Sequence, residues 1–492
     1  MAEKPASKGF WAPIRGLARH SAIYAISTAL QKLPGLLLLP IYTSFDYLPS
    51  YDDYADVVML YTFGAFMGYV FTYGMDSAMM RYFFLGKADR KTVFSTTMVF
   101  LLFSSGLTAL LMTLGAPQLA ELLLGSSAKT ELIYLITAIL FFDALGNLAY
   151  LVLRAEEKAG LFTVFKGLKF FMEMGFNVWF LVFWHLQTPG IFYAGLAASA
   201  LNLLMLVPII LKYFKLRPDL RLWREMLLFA LPLLPNGIAF TTTEMMDRFL
   251  VKYLLNADAL AVYGASYKFG SALLLLVMAF RNAWQPFFLK TADRPDAQQL
   301  YARVMSYFVT GAALIVLIGT LFLEDLLTLT LFGYGPLLKP AYWAGIGIIP
   351  VILLSYVFYG MYVILTPGFY IRKKSQYMIL FTGSAGLSNV IANFILLPWL
   401  QSFWGAAWAT LISYVAMALS IYWVGQRLYP IQLEWARLAK VFSLLGAVML
   451  IYYSADPDFG VRLTMAVMIL VTMAIWILTP AERKMVLRRV GL

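Results

Sequence analysis

GMDSAMMRYFFLGKADRK, residues 74–91, closes a long apolar run with an acid, Asp76, and a base, Arg81, before it reaches the basic cluster Lys87, Arg90 and Lys91. Its last part, FFLGKADR (83–90), returns as FFLKTADR (287–294), identical at six of eight positions. The surrounding chain is 492 residues long, 61% hydrophobic and 13% charged, whereas a soluble domain carries roughly 25% charged residues. The composition therefore reads as an integral membrane protein, and the repeated segment as the end of two equivalent membrane-crossing helices.

Fourteen apolar runs extend from Leu17 to Thr479: 17–40, 57–84, 92–114, 131–153, 161–184, 190–211, 225–250, 259–285, 304–323, 341–365, 376–397, 404–424, 439–453 and 461–479. A helix of about 20 apolar residues crosses roughly 30 Å of hydrocarbon. Lipid tolerates no open sheet edge, and the runs lack the two-residue alternation of a barrel strand, so each is expected to be a helix. The basic N-terminus precedes a run too long for a signal-peptide core and has no evident cleavage site, so the first helix is expected to remain. Cysteine is absent, which excludes disulfides and thiolate metal ligands.

The two copies of the FFL segment lie six runs apart. A second echo has the same offset: Asn177 precedes GIFYAGL (190–196), and Asn393 precedes GAAWATL (405–411). An offset of six preserves orientation, so the expected architecture is an all-α polytopic membrane protein with two parallel-related six-helix bundles around a central cavity, plus two C-terminal helices. The expected divisions are a cytoplasmic N-terminus at 1–16, the first bundle at 17–213, a cytoplasmic linker at 214–224, the second bundle at 225–426, the last two helices at 427–480 and a basic cytoplasmic tail at 481–492.

Charge sets the expected orientation. Of 38 Lys and Arg residues, 27 fall in the N-terminus, the C-terminus and the loops on their side, while the opposite loops hold Lys129, Lys252, Lys339 and Arg462. Basic residues collect on the cytoplasmic side during insertion, which places both termini there. The net charge of +12 is spread over short loops, so it reads as topology and not as a nucleic-acid surface.

LLPIYTS (38–44), GMDSAMMRYFF (74–84), RAEEKAG (154–160) and YPIQLEWARLAK (429–440), set in fourteen runs, resemble the polysaccharide-transport, Wzx-type branch of the multidrug/oligosaccharidyl-lipid/polysaccharide exporter superfamily. The resemblance implies a flippase that moves a polyprenyl-diphosphate-linked oligosaccharide outward across a bacterial inner membrane by alternating access. Its service would be surface polysaccharide, such as the O-antigen of lipopolysaccharide. The expected partners are the lipid-linked oligosaccharide, membrane lipids and polysaccharide polymerase machinery. A cation-coupled multidrug exporter of the same superfamily is the nearest alternative. A membrane-embedded glycosyltransferase or ligase fits less well, because no loop is long enough for a catalytic domain and no metal-ligand cluster is evident. No catalytic residue and no cofactor are expected, apart from a coupling proton or sodium ion.

Seven cations lie inside the runs: Lys32, Arg81, Lys166, Lys169, Arg248, Lys268 and Arg281. At roughly 3 kcal/mol each at mid-membrane, they would together cost about 20 kcal/mol unless met by water or partners. They are the candidate contacts for an anionic head group, with Lys32, Lys169 and Lys268 deepest, and Arg81 and Arg248 close enough to the interface to snorkel. Asp76, Glu173 and Asp247 are candidate coupling carboxylates; Asp143 and Glu244 are the remaining acids within runs. On the fifth run Lys166, Lys169, Glu173 and Asn177 fall within an arc of roughly 80°. Lys169 and Glu173 could neutralise each other one turn apart. Gln31 and Asn177 are the expected polar groups of the cavity. Pro232 and Pro235 predict a bend in the seventh run, and the acidic YDDYAD (51–56) reads as a solvated helix start.

Overall fold

The computed structural model describes residues 35–483 apart from 86–87, 157, 216, 331–334, 373, 478, 480 and 481. Among them every element is helical, with no β-strand. Twelve helices are long and apolar enough to cross a membrane, which makes the chain a multi-pass membrane protein. They coincide with twelve of the fourteen runs. Most of the first run, 17–40, lies outside the described residues. The fifth is helical over Ala159–Val178 but carries three charges, Lys166, Lys169 and Glu173, within eight positions.

We label the helices used below α1 Tyr51–Thr72, α2 Met75–Leu85, α3 Arg90–Leu114, α4 Thr130–Ala155, α5 Ala159–Val178, α6 Gln187–Tyr213, α7 Leu220–Ala230, α8 Leu234–Leu254, α9 Ala257–Gly270, α10 Ala272–Thr291, α11 Ala297–Thr328, α12 Ile349–Leu365, α13 Met378–Leu400, α14 Trp404–Leu428, α15 Trp435–Ala455 and α16 Phe459–Thr472. The described chain forms two compact units, 35–265 with 378–406, and 266–377 with 407–483.

The start of α1 is fixed by a capping box in which the Asp53 N–H donates to the Ser50 hydroxyl at 3.2 Å and the Ser50 N–H donates to the Asp53 carboxylate at 3.1 Å. This satisfies two backbone donors that the first helical turn leaves unpaired. The opening stretch explains where α1 ends. Tyr73 and Gly74 both take positive φ, 35° and 77°, and split the single run 57–84 into α1 and α2. A Cβ on Gly74 would lie 2.8 Å from the Ala230 carbonyl oxygen, so close backbone approach and a left-handed turn both require glycine. Gly74→Ala is expected to cost about 2 kcal/mol or more, read as a lower melting temperature of the purified protein. An unchanged melting temperature would refute this account of the break.

Around that turn, Met75, Met79 and Phe83 of α2 pack with Phe94 and Met98 of α3, Leu148 and Val152 of α4, and Met226 of α7 in one buried cluster. The second copy of the repeat behaves similarly. FFLKTADR ends α10 and turns toward α11, where Arg294 holds Asp296 through two hydrogen bonds of 2.8 Å. In the first copy Asp89 caps α3, and hydrogen bonds from Thr92 and the Lys215 ammonium hold its carboxyl well below the usual range.

The other echo shares a local geometry too. The Asn177 amide donates to the Glu173 carbonyl at 2.8 Å, and the Asn393 amide to the Asn389 carbonyl at 2.9 Å, each four residues back on its own helix. Both asparagines are buried. Where the prolines predict a bend, the chain tightens into one 3-10 turn, Leu231–Leu233, between α7 and α8, with helical backbone angles on both sides. In the second unit α12 is buried along its whole length.

The acidic stretch 51–56 does start α1, with Asp52 exposed, but its last residue departs from the expected solvated role. Asp56 is 2% exposed and forms ion pairs with Lys129 and Lys252, the latter at 3.4 Å. Lys252 also donates to the Leu123 carbonyl at 2.7 Å. Two of the few lysines on the cation-poor side are therefore consumed by one buried carboxylate.

Candidate functional site

Within the first unit a cavity of about 260 Å³ opens between α1, α4, α5 and α6, lined by Asp143, Asn147, Tyr150, Lys166, Lys169 and Asn202 together with Gly68, Phe71 and Thr72. Helical periodicity delivers its two cations. Lys166 and Lys169 are three residues apart on α5 and so share a face, while Asp143 and Tyr150 are seven apart on α4 and share the opposing face.

The Lys169 ammonium pairs with Asp143 at 2.5 Å, with side chains 19% and 41% exposed, so the pair borders the cavity and is not sealed in the core. Lys166 sits 4.1 Å from the centre of the Tyr150 ring, a cation–π contact. It has no carboxylate partner among the described residues. The Tyr150 hydroxyl donates to Asn202 at 2.6 Å, which fixes the ring beneath Lys166. Deeper along α5, the buried Asn177 accepts a hydrogen bond of 2.8 Å from Tyr42.

Two ammonium groups facing one lining carboxylate leave a positive excess. Such a cavity can hold an anion by charge-assisted hydrogen bonds while Asp143 keeps Lys169 extended. The alternative pairing of Lys169 with Glu173 is not the one adopted. Lys169 reaches across to Asp143 on the neighbouring helix, while Glu173 is half-buried one turn deeper.

The other expected site residues are distributed. Lys32 and Gln31 lie outside the described residues. Arg81 is exposed, stacked 4.5 Å from the Phe229 ring centre, and Asp76 is half-buried on the same helix. Arg248 is buried against Asp247 at 3.1 Å and also donates to the Glu244 carbonyl. Asp247 accepts a further hydrogen bond from Tyr263. None of these four residues lines the cavity. Lys268 and Arg281 belong to the second unit, where Arg281 donates to the Tyr359 hydroxyl at 3.2 Å.

Asp143, Tyr150 and Asn202 were not among the expected site residues. Asp143 carried a signal as an acid within an apolar run. Tyr150 is one of 30 tyrosines, and nothing in its local sequence separates it from the rest.

In fold, this all-helical, multi-pass chain is similar to solved transporters of the MOP superfamily. The structure is similar to the lipid II flippase MurJ in an inward closed conformation, with a TM-score of 0.72 and 14% identity over 96% of this chain and 100% of that one. It is also similar to an inward-facing multidrug resistance MATE family transporter, with a TM-score of 0.67 and 14% identity over 86% of this chain and 99% of that one. A MOP superfamily transporter from Pyrococcus furiosus, titled for the reverse polarity of its binding pocket, matches with a TM-score of 0.61 and 13% identity over 89% and 100% of the two chains. No curated protein matches in sequence. The family described as Polysaccharide biosynthesis protein matches residues 48–335, more than half of the chain, and the chain belongs to it.

Proposed function

We propose that the protein is a flippase that carries a polyprenyl-diphosphate-linked oligosaccharide from the cytoplasmic to the outer leaflet of the inner membrane, for surface polysaccharide assembly. The observation that carries this reading is the placement of Lys166 and Lys169 in one cavity whose lining, among the described residues, holds a single carboxylate, Asp143. The family and the MOP-type fold support it. A diphosphate head and its waters suit a cavity of about 260 Å³, whereas an oligosaccharide needs the lining to open further.

On this reading fourteen helices cross the membrane with both termini cytoplasmic. Two six-helix bundles alternate access around the head group, and the lipid tail stays in the bilayer. Lys32, Lys268, Arg281, Arg81 and Arg248 complete the anionic path, with Gln31 and Asn177 as polar lining. Of the proposed coupling carboxylates Asp76, Glu173 and Asp247, Glu173 is nearest the lysine pair in sequence. The transporter then hands its cargo to polymerase machinery.

The test is flipping in sealed proteoliposomes of a fluorescent polyprenyl-diphosphate oligosaccharide against the same glycolipid with its phosphates removed. Movement of the diphosphate form alone is expected. Equal movement of both, or export of cationic drugs with no glycolipid movement, would overturn the proposal. The latter result would favour the multidrug exporter reading. A proton or sodium gradient should change the rate if the carboxylates couple, and indifference to both removes coupling from the mechanism.

A further inference from the structure

The second unit carries a cationic cluster that the translocation mechanism does not use. Its ingredients come from one end of α11, the first turns of α15 and the segment after α16. A cavity of about 470 Å³ lies among Arg303, Glu434, Arg437, Lys440, Trp476 and Arg483. Among the described residues, Arg303, Arg437, Lys440 and Arg483 gather around two carboxylates, Glu434 and Glu482.

Arg437 is the informative residue. Its side chain is 7% exposed, and one terminal nitrogen, Nη1, is shared between Glu482 at 3.2 Å and Glu434 at 3.5 Å. The guanidinium lies 5.0 Å from the Tyr307 ring centre, which holds it in place. Its remaining donors, Nε and Nη2, are buried without a hydrogen-bond partner among the described residues. A buried charged group with three of its five N–H donors unused is costly, and native structures retain such groups where something else accepts from them. The unused Nε and Nη2 form one edge of the guanidinium fork, the edge that matches two oxygens of a phosphate.

The rim indicates what carries that phosphate. Lys440 donates to the Trp476 carbonyl at 3.1 Å with its ammonium 5.4 Å from the indole ring centre, so its charge is held at the mouth. Trp435 and Trp476 are 53% and 46% exposed, the placement of tryptophans at a membrane–water interface. Beyond them α16 and the turn that follows it present Val467, Leu470, Val471 and Ile475 outward, an apolar face suited to acyl chains. A soluble phosphate ligand would have no use for this face.

We propose that this cavity binds the phosphate head group of an anionic membrane phospholipid, with Arg437 and Lys440 as the recognising cations and Trp435 and Trp476 flanking the glycerol region. The site is separate from the lysine pair on α5 and serves to seat α15 and α16 in the lipid.

The full-length protein, purified in neutral detergent, would be titrated with phosphatidylglycerol, phosphatidylcholine or inorganic phosphate, with retained lipid read by native mass spectrometry and melting temperature by intrinsic fluorescence. Phosphatidylglycerol is expected to bind saturably and raise the melting temperature, with apparent affinity about tenfold weaker in both Arg437→Gln and Lys440→Gln. Should Arg437→Gln fold poorly, Lys440→Gln alone decides, since its side chain is only half-buried. Equal retention of phosphatidylcholine, or wild-type affinity in Lys440→Gln, would overturn the proposal. Competition by inorganic phosphate at the lipid's own concentration would overturn it as well, by assigning the cavity to a soluble ligand.

Discussion

Replacing Lys166 and Lys169 together with glutamine is expected to reduce flipping of a diphosphate-linked glycan by about a hundredfold or more, with surface expression and melting temperature close to wild type. Each charge-assisted hydrogen bond to a phosphate is worth about 1.5–3 kcal/mol, and every 1.4 kcal/mol is about tenfold in affinity. The fold should survive. Both side chains border the cavity, and glutamine at 169 can still donate to Asp143, which is 41% exposed, so no buried charge is stranded.

A companion variant gives the opposite sign. Asp143→Asn removes the carboxylate that holds Lys169 at 2.5 Å and should tighten binding of the anionic head group, while turnover slows if release becomes limiting. Binding by lipid titration and flipping in proteoliposomes separate the two effects. Wild-type flipping in the double lysine variant would remove the anion-binding role of α5.

The second large effect is on stability. Asp56→Asn is expected to destabilise the protein by about 3 kcal/mol, because removing one partner of a buried pair leaves an uncompensated charge. The figure sits at the low end of that range since Lys129 is 35% exposed and can turn to water, while Lys252 at 13% cannot. Unfolding in the presence of denaturant or heat would measure it, and Lys252→Met on the Asp56→Asn background should restore part of the loss. A loss below about 0.5 kcal/mol, the scale of exposed pairs, would mean that the network is solvated after all.

These residues also mark what the linear sequence contained. The membrane class and most helix positions were legible because an apolar run has one physical outcome in lipid. The interruption of regular α-helix near Pro232 and Pro235 was legible because a missing N–H is a local property. The break at Tyr73–Gly74 was not: hydropathy continues through it, and the Ala230 backbone that Gly74 packs against lies more than 150 positions away. The same distinction divides the site. Lys166 and Lys169 share a face by spacing alone, so their pairing could be read directly. That Lys169 would choose Asp143 over Glu173 depends on how α4 lies beside α5. Asp56 illustrates the limit most plainly, since an acidic helix start looks solvated until Lys252, 196 residues on, is folded against it.

The turn at Leu231–Leu233 has a mechanical corollary. A helix in hydrocarbon resists flexing because each peptide unit that opens must give up a bond with no water to replace it. Pro232 and Pro235 have no such bond to surrender, so the rod formed by α7 and α8 has its lowest bending stiffness at that point. Force applied to either end concentrates there, as it does at a notch in a beam, and the neighbouring turns travel as stiff levers.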